Sequence, residues 1–239
     1  GDFALQMKYN HNAFLKSELF FSSFNAHLGV LRGAHIGNLT DLEEALARSE
    51  PFYTKDRFSY QIKAPYQKIN HHLLKWNTSY LLNENHKFDF TYAIQWDLRK
   101  EFDVRRAGRS EKPSMNLNQN SYFTELKYKG YLSSDWEVSS GVQLNRTDNY
   151  NEAGTGILPL IPDYISFETG LFVMASKKNE QFSFELGGRY DYLDQSVATI
   201  SRGIPKEIKR YHNYASNMGL AGGGNYAFSN GMNLSYNLG

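Results

Sequence analysis

The sequence predicts an all-β protein, built as an antiparallel up-and-down transmembrane β-barrel segment. Polar turns recur at near-equal spacing, and between them lie a long strand, a long loop and another long strand. Short turns on one side and long loops on the other are typical of chains that cross a membrane as strands. The turns comprise residues 83–86, 133–135, 177–180 and 229–231.

Apolar and polar residues alternate within the predicted strands. Over residues 87–102, Phe88, Tyr92 and Trp96 fall on one face, whereas Asp89 and Gln95 fall on the other. Successive side chains of a strand point to opposite faces, so each strand has an apolar face and a polar face. Several runs outlast the 5–6 residues or so of an average soluble strand and reach the roughly 9–11 that a bilayer requires.

Ten strands are predicted by this pattern. They cover residues 1–9, 14–28, 66–82, 87–101, 119–131, 134–147, 164–177, 180–194, 208–227 and 230–239. In the first long loop, Thr40 and Glu43 fit a capping box, and the apolar residues that follow share a helical face. A short helix is therefore expected from Asp41 to Arg48, ending before Pro51.

Composition agrees with a membrane barrel. The chain contains 17 Tyr and 16 Phe, the residue types that girdle a barrel at the two membrane interfaces. No run approaches the length of a transmembrane helix, and the absence of cysteine excludes disulfide and thiolate chemistry. The net charge of +1 gives no case for a nucleic-acid partner. The alternative from a different class is a soluble β-rich binding or adhesion module.

Histidines are the first candidates for a ligand or metal site. His71 and His72 are adjacent on a predicted strand, so their side chains point to opposite faces and cannot share one metal ion without a bulge. His35 lies in the first long loop and is better placed to bind a ligand. The competing interpretation is a structural role in the loop. No metal site is predicted.

Basic residues in the second loop are the next candidates. Arg105, Arg106 and Arg109 could hold an anionic ligand, because the guanidinium fork suits carboxylate or phosphate. Two alternatives remain open. Arg105 could pair with Glu101 and Asp103 at the rim, or the arginines could contact lipopolysaccharide on the outer surface.

Residues 148–163 are predicted to form the third loop, in which Asn149 and Tyr150 could line the barrel mouth. An aromatic ring with neighbouring amides suits a sugar or a planar chelate. The competing interpretation is anchoring at the membrane interface or packing within the loop.

Several stretches of the chain together resemble a known family, the TonB-dependent outer-membrane receptors of Bacteroidetes-like bacteria. The resemblance covers nearly the whole chain and rests on the order and spacing of its motifs. They are residues 29–42 (GVLRGAHIGNLTDL), 65–67 (PYQ) with 71–72 (HH), 101–106 (EFDVRR), 160–164 (LIPDY) and 187–192 (GGRYDY).

The resemblance implies a 22-stranded barrel in the Gram-negative outer membrane, plugged by an N-terminal globular domain. Such receptors bind ferric siderophores, haem, cobalamin or glycans through extracellular loops and the plug apex, and the inner-membrane TonB complex drives import. Here a ferric siderophore or haem is the favoured ligand. The resemblance implies no enzymatic activity, no catalytic residues and no cofactor.

The chain departs from the family pattern at both ends. Asp2 to Tyr9 already reads as a strand, and no plug or TonB-contacting segment is recognised. Residues 1–239 are therefore expected to be a partial barrel domain of about ten of the 22 strands, reaching TonB only through a plug that it lacks. Such a segment has two open edges, through which it could self-associate.

A small outer-membrane protease remains the enzymatic alternative, because such an enzyme also has about ten strands. It requires an acid–base pair within hydrogen-bond reach at the extracellular rim. The rim candidates Asp103, Asp163 and His212 show no informative spacing.

Overall fold

One antiparallel sheet of ten strands in sequence order makes up nearly all of the computed structural model. The structure describes residues 1–31, 39–50, 60–105, 107–133, 136–229 and 231–239. The strands are β1 (Phe3–Asn10), β2 (Leu15–Gly29), β3 (Tyr66–Asn83), β4 (His86–Phe102), β5 (Met115–Tyr131), β6 (Trp136–Asn151), β7 (Asp163–Lys178), β8 (Phe182–Ile200), β9 (Ile208–Ala227) and β10 (Asn233–Leu238). The predicted all-β antiparallel fold is therefore confirmed.

Within the described ranges, helical structure is found only in the connections on one side of the sheet. Helix α1 (Leu39–Leu46) precedes β3, and a 3₁₀ turn (Arg109–Glu111) lies between β4 and β5. The predicted helix is confirmed, but it begins and ends two residues earlier than the predicted Asp41 to Arg48. Thr40 therefore lies inside the first turn, and its assignment as the capping residue was wrong. Among the described residues, no helix is both long and apolar enough to cross a membrane.

Three strands extend further toward the long loops than the alternation predicts. Strand β5 begins at Met115, β6 continues to Asn151 and β8 continues to Ile200. Asn116 and Asn118 have polar side chains on the surface that is apolar elsewhere in the sheet, yet they pair in register with Lys100 and Leu98 of β4. Backbone ladder bonds, which are independent of side-chain polarity, carry the strand past the end of the pattern. The prediction that residues 148–151 belong to a loop was wrong.

Short turns join the strands at one edge of the sheet, and the long connections lie at the other. Asparagine side chains close several of the short turns. The Oδ1 atom of Asn12 accepts hydrogen bonds of 2.8 Å from the backbone N–H groups of Phe14 and Leu15. The same atom of Asn179 accepts bonds from Gln181 (3.1 Å) and Phe182 (2.7 Å). These local bonds favour a tight reversal between adjacent strands.

The pairing register places most of the large apolar residues of the strands on one surface, here called the apolar face. Tyr92 of β4, for example, is opposite Trp76 of β3 and Thr124 of β5. The large side chains of this face include Leu5, Met7, Leu19, Phe21, Leu74, Trp76, Phe90, Ile94, Trp96, Leu126, Val142, Leu171, Val173, Leu186, Tyr190, Met218, Leu220, Leu234 and Tyr236.

Most of the apolar face is open to its surroundings. Leu5, Leu171 and Met218 are between 51% and 67% exposed, and Phe102 and Pro65 are the only buried apolar side chains in the described part of the chain. A soluble sheet of this size hides its apolar side under a second layer. The described residues supply no such layer, so this face requires an apolar medium or a partner.

The height of the apolar face matches a bilayer. On β4 the uninterrupted row runs from Phe88 to Leu98, about 34 Å along the strand and about 25 Å of membrane at the usual barrel tilt. Aromatic residues mark its two limits. Tyr80, Phe88, Tyr128, Trp136 and Tyr226 lie near the short turns, and Trp96, Tyr122, Phe167, Tyr192 and Tyr214 lie toward the long loops.

The opposite surface, here called the polar face, carries mainly amide, hydroxyl and charged side chains. The sheet does not close on itself in the described residues, because β1 pairs only with β2 and β10 pairs only with β9. The two open edges that the sequence predicts are thus confirmed.

Candidate functional site at the polar face and the long-loop edge

A row of directly opposed polar positions crosses the polar face from β1 to β9. Lys8 Nζ lies 3.4 Å from Glu18 Oε2, and Gln6 donates a 2.7 Å hydrogen bond to Glu18 Oε1. Further along, Thr91 donates a 3.1 Å bond to Asn77. Side chains that pair with neighbouring strands in this way suit contact with water or a polar partner and not with lipid. The row comprises Lys8, Glu18, Asn77, Thr91, Glu125, Gln143, Gly170, Asp191 and Asn217.

The lack of a side chain at Gly170 makes room for an arginine in this row. Arg189 Nε donates to both carboxylate oxygens of Asp191 at 2.9 Å. A Cβ atom at Gly170 would collide with the Arg189 guanidinium. On the other side of the gap, Gln143 donates a 2.5 Å bond to Glu125. The middle of the polar face is therefore a network of charges and amides spread over four strands.

The two adjacent histidines of β3 point to opposite faces, as predicted. His71 Nδ1 lies 2.5 Å from Asp97 Oδ1 on the polar face, and both side chains are about one-third exposed. His72 is opposite Trp96 on the apolar face. No group of three or more His, Asp or Glu side chains in the described ranges is arranged to hold a metal ion.

Arg105 holds two long connections together. Its Nη1 donates a 2.9 Å bond to the carbonyl of Thr155, and its Nη2 donates to the carbonyls of Lys112 (2.5 Å) and Pro113 (3.2 Å). The Nε atom is buried without a protein partner. This arginine therefore fastens the connection 103–114 to the connection 152–162. Pairing with Glu101 is not observed, because Glu101 pairs instead with Arg99 at 2.6 Å.

Asn149 anchors the return of the third connection and is not part of an open loop. Its side chain is only 3% exposed and donates a 3.0 Å bond to the carbonyl of Pro162. Two residues later, Asn151 donates a 2.8 Å side-chain bond to Asp163 Oδ1. These bonds fix the chain where β6 ends and β7 begins.

Tyr150 lies on the other surface of the sheet, on the outward side of the long-loop edge. There it lines an open groove of about 490 Å³ between β6 and β9, together with Ile165, Ser196, Arg210 and His212. The groove lies above the apolar face. Reading one strand at a time could not reveal it, since its residues come from four strands and meet only through the register.

His212 makes contacts that resemble an acid–base cluster. Its Nδ1 lies 3.2 Å from Ser196 Oγ, and its Nε2 lies 3.5 Å from Asp194 Oδ1. The His212 side chain is 56% exposed, and that of Asp194 is 41% exposed. These are solvent-accessible contacts on the outward surface. Of the other two rim candidates, Asp163 lines the same groove as His212, whereas Asp103 follows β4, five strands away from β9.

The four predicted ligand residues that the structure describes therefore have different settings. Arg109 is exposed in the 3₁₀ turn at the long-loop edge, and Tyr150 lines the outward groove. Arg105 and Asn149 bind backbone carbonyls. His35 and Arg106 lie outside the described residues. The structure does not bring the four described candidates together into one pocket.

The sheet is similar to several solved receptor structures. The siderophore receptor PiuA from Acinetobacter baumannii matches 94% of this chain and 39% of its own length, with a TM-score of 0.63 and 10% sequence identity. The closed form of the ferric-catecholate import receptor Fiu from Escherichia coli K12 matches 96% of this chain and 41% of its own, with a TM-score of 0.67 and 10% identity. The FrpB iron transporter from Neisseria meningitidis matches 94% and 34%, with a TM-score of 0.62 and 12% identity.

These similarities confirm the barrel fold that the family resemblance implies. The chain spans about two fifths of the length of PiuA and Fiu. The sequence matches no known family profile. It also matches no curated protein.

Proposed function

We propose that the chain forms part of the wall of an outer-membrane receptor that imports an iron chelate, a ferric siderophore or haem, with energy supplied through TonB. The observation that carries this proposal is a bilayer-high apolar face combined with a charged polar face on one sheet. The fold shared with siderophore and iron receptors supports the same function. Cobalamin and glycans are the other ligands that the resemblance allows.

The apolar face is the argument against a soluble adhesion module. Such a module keeps its apolar residues in a core, yet here Leu5, Leu171 and Met218 are more than half exposed. In a bilayer these side chains face acyl chains, and closure of the barrel satisfies the strand edges that lipid leaves unpaired.

The long-loop edge faces the external medium in this proposal, and the short turns face the periplasm. All of residues 1–239 then belongs to the barrel domain. The polar face lines the interior, where a plug with hydrophilic surfaces packs against the charge and amide network. TonB acts through that plug and makes no contact with this chain.

Ligand contact falls to residues at the long-loop edge. Arg109 is exposed there and free to approach an anionic chelate, and His35 and Arg106 remain candidates on the strength of the sequence. Arg105 and Asn149 act in this proposal by positioning the connections. Tyr150, on the outward side, anchors the edge of the sheet.

The proposed receptor is not an enzyme. The contacts of His212 with Ser196 and Asp194 are polar contacts on an exposed surface, and they are assigned no catalytic role.

Radio-iron uptake by cells tests this function. The natural full-length protein is produced in a Gram-negative cell that lacks its own chelate receptors, and ferric catecholate, ferric citrate and haem are supplied in turn. We expect saturable uptake of at least one chelate, lost when the proton gradient is collapsed. Uptake of none of them, or uptake that survives the collapse, would contradict the proposal.

A single substitution then tests the ligand residues. Arg109→Gln removes one charge-assisted hydrogen bond, and about tenfold weaker half-saturation for an anionic chelate is expected. Arg202→Gln, at an exposed position in the connection 201–207 of the same edge, is the matched control. Equal effects of the two substitutions would count against a contact at Arg109.

A further inference from the structure

An outward-facing row of basic side chains crosses three strands just above the apolar face. His27 of β2 is opposite Lys68 of β3, which in turn is opposite Lys100 of β4. The next position in the row is Asn116 of β5. This group is here called the cation row. On β4 the row lies four residues beyond Trp96, toward the long loops.

The acidic side chains of β4 near the cation row point to the other face. Asp97 and Glu101 of β4 alternate with the apolar-face residues and pair on the polar face with His71 and Arg99. Like charges directly opposite on neighbouring strands destabilise a sheet unless something compensates them. Two opposed lysines therefore indicate that an anion normally lies between or beside them.

The row is also ordered by aromatic contacts. Lys68 Nζ lies 5.7 Å from the ring centroid of Tyr66 and 5.8 Å from that of Phe102. These two rings stack on each other at 4.3 Å. Cation–π contacts of this kind hold the ammonium group in place at little cost to its charge. The lysine thus remains available to a ligand that approaches from the membrane.

Polar side chains, mostly carboxamides, lie between the cation row and the aromatic and aliphatic side chains of the apolar face. Asn70 and Asn118 flank Leu98 in the next row toward the short turns, and His72 and Asn120 flank Trp96 in the row after that. Descending the surface, the order is cations, then carboxamides, then apolar rings. This order is complementary to an acylated glycolipid whose head group carries phosphate: the phosphate meets the cations, the sugar meets the carboxamides and the acyl chains meet the apolar rings.

We propose that the cation row binds the phosphate of a phosphorylated glycolipid in the outer leaflet, with Lys68 and Lys100 as the charged ligands and the neighbouring asparagines as donors to the sugar. The inference rests on the proposed function, because it requires the apolar face to lie in a membrane. It adds a specific lipid site to a surface that otherwise contacts lipid without selectivity.

Native mass spectrometry of the chain in detergent micelles, titrated with diphosphoryl lipid A, tests the site. Lys68→Gln combined with Lys100→Gln is expected to weaken binding about 30-fold, since each lysine near a lipid surface contributes about a factor of five. The double arginine variant at the same positions should retain binding. Lys75→Gln with Lys127→Gln is the matched control, because both lysines point to the polar face.

Two further ligands separate the lipid from a free anion. Lipid A stripped of its phosphates should bind the wild type as weakly as intact lipid A binds the double glutamine variant. Inorganic phosphate should not displace intact lipid A from the wild type. The site would be overturned if the double glutamine variant at Lys68 and Lys100 bound lipid A as tightly as the wild type. It would also be overturned if the polar-face control lost as much lipid A binding as that variant. Displacement by inorganic phosphate at comparable concentration would show a simple anion site and overturn the lipid assignment.

Insertion into vesicles is measured on the same samples to separate this inference from the function on which it rests. A chain that inserts normally but shows no preference for the phosphorylated lipid refutes the site and leaves the membrane wall standing. A chain that does not insert at all refutes both.

Discussion

Individual residues of the polar face show how the barrel wall accommodates charge. Gly170 lies where Arg189 crosses from its own strand toward the centre of the sheet, and a Cβ atom there would meet the guanidinium. Gly219, which is opposite Arg189 on the next strand, has nothing within 4 Å of an added Cβ. Of these two glycines on the same face, Gly170 leaves space that a side chain needs, whereas Gly219 does not.

Alanine substitutions at these glycines should act in opposite directions. Gly170→Ala pushes Arg189 away from Asp191 and is expected to lower the free energy of unfolding by about 0.2–1 kcal/mol, the usual range for an exposed ion pair. Gly219→Ala should be neutral or slightly stabilising, because alanine restricts the unfolded chain. Urea unfolding of the chain from lipid vesicles measures both. Equal destabilisation by the two variants would show that the Arg189 crossing is unimportant.

At the scale of elements, the short turns define the strands by local hydrogen bonds. Asn179 accepts two backbone bonds where β7 turns into β8. Its carboxamide therefore replaces part of the ladder that the turn interrupts.

Asn179→Ala should lower the stability of the β7–β8 hairpin by about 1 kcal/mol, because two backbone donors lose their acceptor. Asn179→Asp keeps an acceptor oxygen at the same place and should remain close to the wild type. Amide hydrogen exchange at Gln181 and Phe182 reports the difference directly. Unchanged exchange in the alanine variant would mean that water replaces the side chain without cost.

The elements also show how far the sequence alone could lead. All ten strands were predictable, because the apolar alternation has the period of a strand. The far ends of β5, β6 and β8 were not, because polar residues such as Asn116, Asp148 and Ser196 occupy the outward face there, and the strands continue through pairing with their neighbours. The same limit applied to Asn149, whose role depends on the carbonyl of Pro162, and to the cation row, which exists only once the register is known.

At the scale of the whole molecule, the open edges are the least satisfied feature of the sheet. Strands β1 and β10 each have one unpaired side among the described residues. In lipid or detergent, each backbone N–H or C=O group without a hydrogen bond raises the free energy of the sheet. Pairing of an edge strand with another strand is therefore favoured.

Cysteines introduced at the two edges test whether the edges pair between copies of the chain, because the chain has no cysteine of its own. Gln6→Cys on β1 together with Asn237→Cys on β10 should give disulfide-linked oligomers in mild oxidant. Thr91→Cys, in the centre of the sheet, should remain monomeric under the same conditions. Equal cross-linking by the central cysteine would indicate random collision instead of edge pairing.

The most direct test of the account is the orientation of β4 relative to lipid. A fluorophore is attached to a single cysteine at Ile94, on the apolar face, or at Gln95, on the polar face, and the chain is inserted into vesicles that contain brominated acyl chains. The account predicts strong quenching at position 94 and weak quenching at position 95. Similar quenching at both positions, or failure of the chain to enter the vesicles, would contradict a membrane-spanning wall with one lipid-facing side.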